Sequence, residues 1–179
     1  MLAVVSGNQM LNFNNIGSVK GNHQKLTFAG NNYLDRPSFR LPKSANGRNL
    51  QIKGRIHSQS DSGVIYAHGD HQNGYAVYMS KGHLAFTTCV NGKNQTITTD
   101  AALTQAVDFE AGWNHKGTMV LKINKKLVGR HIEVGVLSME PGESIQIGGD
   151  AIIPVASYDS PNGFSGTIEN LTTKHPTGS

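Results

Sequence analysis

The chain has 179 residues, a formal net charge of +4 and only 16% charged residues, where ordinary globular chains carry about 25%. Its 16 asparagines outnumber its 12 acidic residues, and 21 glycines add further turn-forming capacity. That balance disfavours a helical bundle. No apolar run approaches the ~18 residues of a membrane-spanning helix, and the single cysteine excludes an internal disulfide and a four-cysteine zinc site.

Residues 1–22 show no sustained period and read as a loosely ordered lead or a peripheral strand. The N-terminal Met1-Leu-Ala-Val-Val5 lacks the basic and apolar regions of a signal peptide. Lys25–Phe28 and Asn32–Asp35 are short strand candidates, and Pro37, Pro42 and Asn46-Gly47 punctuate a connecting loop. From Asn49 the pattern is regular. Leu50, Ile52, Gly54 and Ile56 alternate with Gln51, Lys53, Arg55 and His57, the period of a half-buried strand. Strands follow at 64–67, 75–79, 84–88, 95–99, 107–110, 119–123, 127–128, 144–147 and 165–171. Ser80–His83, Asn91-Gly92 and Asn124–Lys126 are the tight turns between some of them. Asp100–Ala106 is the one helix-like window, one or two turns at most. Strands every 8–12 residues predict an all-β, two-sheet antiparallel sandwich. A single sandwich domain is expected over 23–175, with 176–179 as a tail.

The blocks Ser62–Gly69, Asn73–Tyr78, Lys81–Leu84, Met119–Gly129, Ile145–Asp150 and Asn162–Ile168 occur in an order that resembles the laminin G-like domains of the concanavalin A-like jelly-roll group. More narrowly, the run from Asn49 to Lys174 is similar to the C-terminal sandwich that follows the catalytic domain of bacterial arylsulfatases. The resemblance implies a non-catalytic accessory or carbohydrate-binding domain of an exported hydrolase, periplasmic or extracellular. The catalytic part of such an enzyme carries a C/S-x-P-S/A-R motif. Cys89 is followed by Val90-Asn91-Gly92, and no such motif occurs anywhere in this chain.

Several side chains qualify for chemistry. Asp108 and Glu110 stand two apart on a strand and so share one face, roughly 6–7 Å apart. That spacing supports an alternative reading, a stand-alone lectin-type glycoside hydrolase. His68, Asp70 and His71 offer metal ligands in one turn, without a further ligand at zinc-site spacing. No nucleophile can be placed beside His83 or His115. Asp70, Asp150 and Asp159, with loop carbonyls, are candidate oxygen donors for a calcium ion; laminin G-like domains hold one calcium at the sandwich rim, but their ligand pattern does not map residue by residue onto this chain. Trp113, Tyr75, His68 and His71 are the expected glycan contacts. Tyr75 and Tyr78 point to opposite faces, so one of them is expected in the core. The basic residues are scattered, which argues against nucleic acid. The expected partner is a glycan or the parent catalytic domain.

Overall fold

The computed structural model describes residues 2–6, 9–37, 49–114, 116–131, 144–151, 153–160 and 162–174. Fifteen strands are present among them: β1 (Leu2–Ser6), β2 (Gln9–Ile16), β3 (Lys20–Asn22), β4 (Lys25–Ala29), β5 (Tyr33–Arg36), β6 (Leu50–Ser58), β7 (Gly63–Gly69), β8 (Asn73–Ser80), β9 (His83–Val90), β10 (Lys93–Thr98), β11 (Val107–Trp113), β12 (Met119–Ile123), β13 (Lys126–His131), β14 (Ile145–Ile147) and β15 (Ser165–Lys174). Residues 101–106 form no helix. The expected loop signals Pro42 and Asn46-Gly47, and the tail 176–179, lie outside the described residues.

The strands make two facing sheets. The first runs β10-β9-β8-β7-β14-β5 and ends on the second half of β2. The other begins on the first half of β2 and runs β1-β15-β6-β11-β12-β13. β4 adds to the first half of β15, and β3 to β4. Every pairing is antiparallel except that of β1 with β15. The architecture is a jelly-roll β-sandwich, as the alternation predicts.

Turn chemistry fixes the hairpin registers. Asn91-Gly92 and Lys81-Gly82 both have positive φ at two successive residues, as do Asn124-Lys125. Such turns match the twist of the strands that they join. Between the sheets, Phe13, Leu26, Leu34, Ile52, Ile56, Phe86, Leu121 and Phe164 are fully buried.

Two expectations need correction. Residues 2–6 and 9–22 are neither a loose lead nor a peripheral strand: β1 is an interior strand, and Val4, Leu11, Phe13 and Val19 belong to the core. Asn-rich spacing hides this in the sequence, because β2 alternates Leu11 and Phe13 with Asn12 and Asn14. Tyr75 and Tyr78 do point to opposite faces, yet both are buried. The outer face of the first sheet is covered. Val64, Ala67, Ala76, Tyr78, Ala85 and Cys89 pack there against Val155, with Ala156 and Tyr158 alongside. Residues 153–160 thus lie as a strap across β7, β8 and β9, whose alanines leave room for it.

Candidate functional site

Sequence reasoning places a ligand at the His68–Asn73 and Asp150–Asn162 loops. Three of the expected contacts are interior instead. His68 is wholly buried, with its Nδ1 3.0 Å from the Tyr75 hydroxyl. The Tyr75 ring meets Trp113 edge-on at 5.2 Å, and Trp113 lies parallel to Phe86 at 6.5 Å. Trp113 is 5% exposed, so it fills the core and offers no platform. His71 is exposed at the β7–β8 tip.

The three aspartates do not converge. Asp70 Oδ1 accepts the backbone N–H groups of Gln72 (2.8 Å) and Asn73 (3.0 Å), closing the tip before β8. Asp159 Oδ2 accepts from the Ser80 hydroxyl and the Lys81 N–H, each at 3.0 Å, at the far end of β8. An eight-residue strand separates them, roughly 23 Å at ~3.3 Å per residue. Asp150 Oδ2 already accepts from Val155 N–H (2.9 Å) and from the Tyr158 hydroxyl (2.6 Å). Among the described residues no three His, Cys, Asp or Glu side chains are grouped to hold a metal. Calcium at millimolar concentration should therefore leave the melting temperature unchanged, since a cation bound only by the folded state would raise it. A rise abolished by Asp70→Ala together with Asp150→Ala would contradict this arrangement.

The Asp150 contacts hold the strap in place. Burial raises its carboxyl above the ordinary 3.8, opposed by the hydrogen bonds from Tyr158 and Val155. The folded state therefore binds this proton more tightly than the unfolded chain. Stability from this group falls as pH rises from 3.8 through the raised folded value, and is flat above it. Urea midpoints measured against pH should show that slope in the wild type and lose it in Asp150→Asn. Cys89 is a buried free thiol beneath the strap. Its Sγ lies 2.8 Å from Asn94 Oδ1 and 3.1 Å from the Val155 carbonyl oxygen, either of which can accept its one S–H, and burial, with Asp70 nearby, pushes the thiol up to about 11.

The groups that do converge lie on the outer face of the other sheet, at the strands β15, β6, β11 and β12. Register sets Lys122, Glu110, Lys53 and Thr172 in one transverse row, and Asp108, Arg55, Glu169 and Lys25 in the next. Charges thus alternate along the second row and from Lys122 to Lys53 in the first. Glu110 is held between two ammonium groups, Lys53 at 3.3 Å and Lys122 at 3.4 Å, and Gln51 Nε2 donates to it at 2.9 Å. Arg55 meets Asp108 at 3.2 Å. These are cross-strand pairs of the kind that stabilise a sheet by up to ~1 kcal/mol each.

The rows enclose a hollow of about 410 Å³. Its shape comes from a bulge in β15 between Glu169 and Thr172, where Asn170 has φ +50°, facing the side-chain-free Gly54. Lys125, in the β12–β13 turn, closes one side and has no carboxylate partner among the described residues. A second hollow of about 240 Å³ adjoins it at Glu110, lined by Asn49, Gln51, Gly112, Asn114, Thr118 and Val120 among others. Asp108 and Glu110 share a face, as their spacing predicts. Each carboxylate is paired with a cation, Asp108 with Arg55 and Glu110 with Lys53 and Lys122. Lys53, Lys122, Lys125 and Asn170 escaped sequence reasoning, because only strand register and the bulge bring them together.

No family model matches the chain, and no curated protein matches it. Solved structures do. A heptameric SAP-like pentraxin from Limulus polyphemus aligns at 21% identity and TM-score 0.63, over 86% of this chain and 77% of that one. Domains LG4-5 of the mouse laminin alpha1 chain align at 14% identity and TM-score 0.65, over 87% and 43%. A botulinum neurotoxin type C structure, whose description ties cell entry to interaction with two ganglioside molecules, aligns at 12% identity and TM-score 0.70, over 100% and 48%. The chain spans under half the length of the laminin and toxin structures. These likenesses show the fold, a jelly-roll β-sandwich.

Proposed function

We propose that the chain is a non-catalytic, carbohydrate-binding module, and that its glycan lies on the outer face formed by β15, β6, β11 and β12. The hollow of about 410 Å³ carries this reading, because it sets ammonium, guanidinium, carboxylate, amide and hydroxyl groups around one concavity on a rigid sheet. Sugar hydroxyls both donate and accept, and a mixed rim of that kind serves them. The toxin neighbours support the reading, one tied to gangliosides and another described in complex with SialylT. The sequence resemblance further suggests a place beside the catalytic domain of a sulfatase-like exported hydrolase, outside the cytoplasm. A coding sequence continuous with a sulfatase domain would support that parentage, and its absence would remove it.

Titration of the isotope-labelled chain with an oligosaccharide panel tests the binding reading. Shifts should cluster on Lys53, Glu110, Lys122 and Asn170. Shifts confined to the β7–β8 tip or to the strap would relocate the site, and none with any glycan would reject the reading. The chain should also show no turnover of an aryl sulfate. Cys89 lacks the motif that makes the sulfatase nucleophile, and its thiol is shielded under the strap. Turnover abolished by Cys89→Ala would overturn that.

A further inference from the structure

The two hollows differ in charge, and the difference names a ligand. The larger is lined by four cations, Lys53, Arg55, Lys122 and Lys125, against three carboxylates, Asp108, Glu110 and Glu169. The excess is local. Arg55 is matched by Asp108, whereas Glu110 alone answers both Lys53 and Lys122, and Lys125 has no carboxylate partner among the described residues. The smaller hollow carries amides and a hydroxyl from Asn49, Gln51, Asn114 and Thr118, with Glu110 at the shared boundary. From Asp108 to Asn114 the floor runs along β11 for six residue steps, roughly 20 Å, the length of a short oligosaccharide.

We propose, resting on the carbohydrate reading above, that the hollows are consecutive subsites for a linear acidic oligosaccharide. A carboxylate- or sulfate-bearing unit sits against Lys122, Lys125 and Lys53, and a neutral unit sits against Gln51, Asn114 and Thr118. Lys53 and Lys122 project from strands on either side of β11, about 10 Å apart at two interstrand spacings. Glu110 stands between them as an internal anion that satisfies both in the absence of ligand. The incoming acid group competes with that carboxylate for the same ammonium groups. It gains charge-assisted hydrogen bonds from them without requiring a new desolvated cation. Glu110 therefore acts as a specificity filter: it weakens acidic ligands, and it excludes small anions that bring no sugar contacts of their own.

The test compares matched oligosaccharides by calorimetry on the full chain: one uronate-bearing, one sulfated, and the carboxyl-reduced and desulfated forms of each. Acidic forms should bind roughly tenfold tighter than their neutral forms at low salt, one charge-assisted contact's worth, and the gap should narrow as ionic strength rises. Lys122→Gln with Lys125→Gln should bring acidic binding down to the neutral level. Glu110→Gln should strengthen acidic binding severalfold relative to neutral binding, an outcome that a merely structural Glu110 would not produce. Melting curves confirm that each variant folds. Equal binding of acidic and neutral forms, or weaker acidic binding in Glu110→Gln, overturns the subsite assignment while leaving the carbohydrate reading intact. Binding of neither form overturns both.

Discussion

Replacing Gly112 by valine should destabilise the protein by about 3 kcal/mol or more, within the range of strongly overpacked or strained sites. Gly112 pairs with Gln51 where β11 joins β6, and a Cβ built on it would stand 1.9 Å from the Leu50 carbonyl oxygen. The obstruction is backbone of a seven-residue ladder in mid-sheet, so no side-chain rotation relieves it. Separation of β11 from β6 would also open the smaller hollow, which Gly112 lines. Urea unfolding should show a lower midpoint with a similar slope. A change under ~0.5 kcal/mol would mean that the two strands yield more easily than their pairing implies.

Phe164→Ala should cost about 3–5 kcal/mol, the usual range for a fully buried phenylalanine. Its ring meets Phe28 edge-on at 6.0 Å and is wholly enclosed. Its backbone is fixed as well: Phe164 N–H donates to the Gly148 carbonyl, and its own carbonyl accepts from Gly30 N–H, both at 2.9 Å. The side chain has no route to collapse into the void, because Gly163 on one flank lies against Gly30 and Gly148 lies against the Phe28 ring. Phe164→Leu should recover roughly half of the loss. Thermal unfolding of the pair measures both, and a loss below ~1.5 kcal/mol for alanine would show that the strap and β15 close the gap between them.

The sandwich was legible because its strands alternate and its turns are chemically explicit. Leu50, Ile52 and Ile56 declare an inward face, and Asn91-Gly92 declares a hairpin. The strap was not legible: Val155 and Tyr158 sit in an irregular segment, and their burial depends on Ala67, Ala76 and Ala85 from three separate strands. That same cover hid the fate of Tyr78. The aromatic residues misled for a related reason, since a lone Trp113 beside Gly112 looks loop-like but packs between Tyr75 and Phe86. Aspartates in polar loops suggested a shared cation, whereas each one serves its own turn or strap. The charged hollow was half visible. Asp108 and Glu110 stood out by spacing, but their cations come from β6 and β12, and one residue of slip in either strand would send those cations to the other face.

The parallel contact of β1 with β15 sets the tempo of assembly. Val5 lies opposite Thr172, and β1 with β2 forms the hydrogen-bonded link between the two sheets. Hairpins such as β8–β9 join neighbouring residues and form within microseconds. The β1–β15 pairing requires two segments that are almost a whole domain apart in sequence, so its closure entropy is met late. Before that moment β15 and β1 are open edges with unpaired backbone groups, available to any other chain. Refolding should thus be slow, in the millisecond-to-second range of high-contact-order β-sandwiches. Its yield should fall with protein concentration, because a second molecule competes for the place that β1 has yet to take.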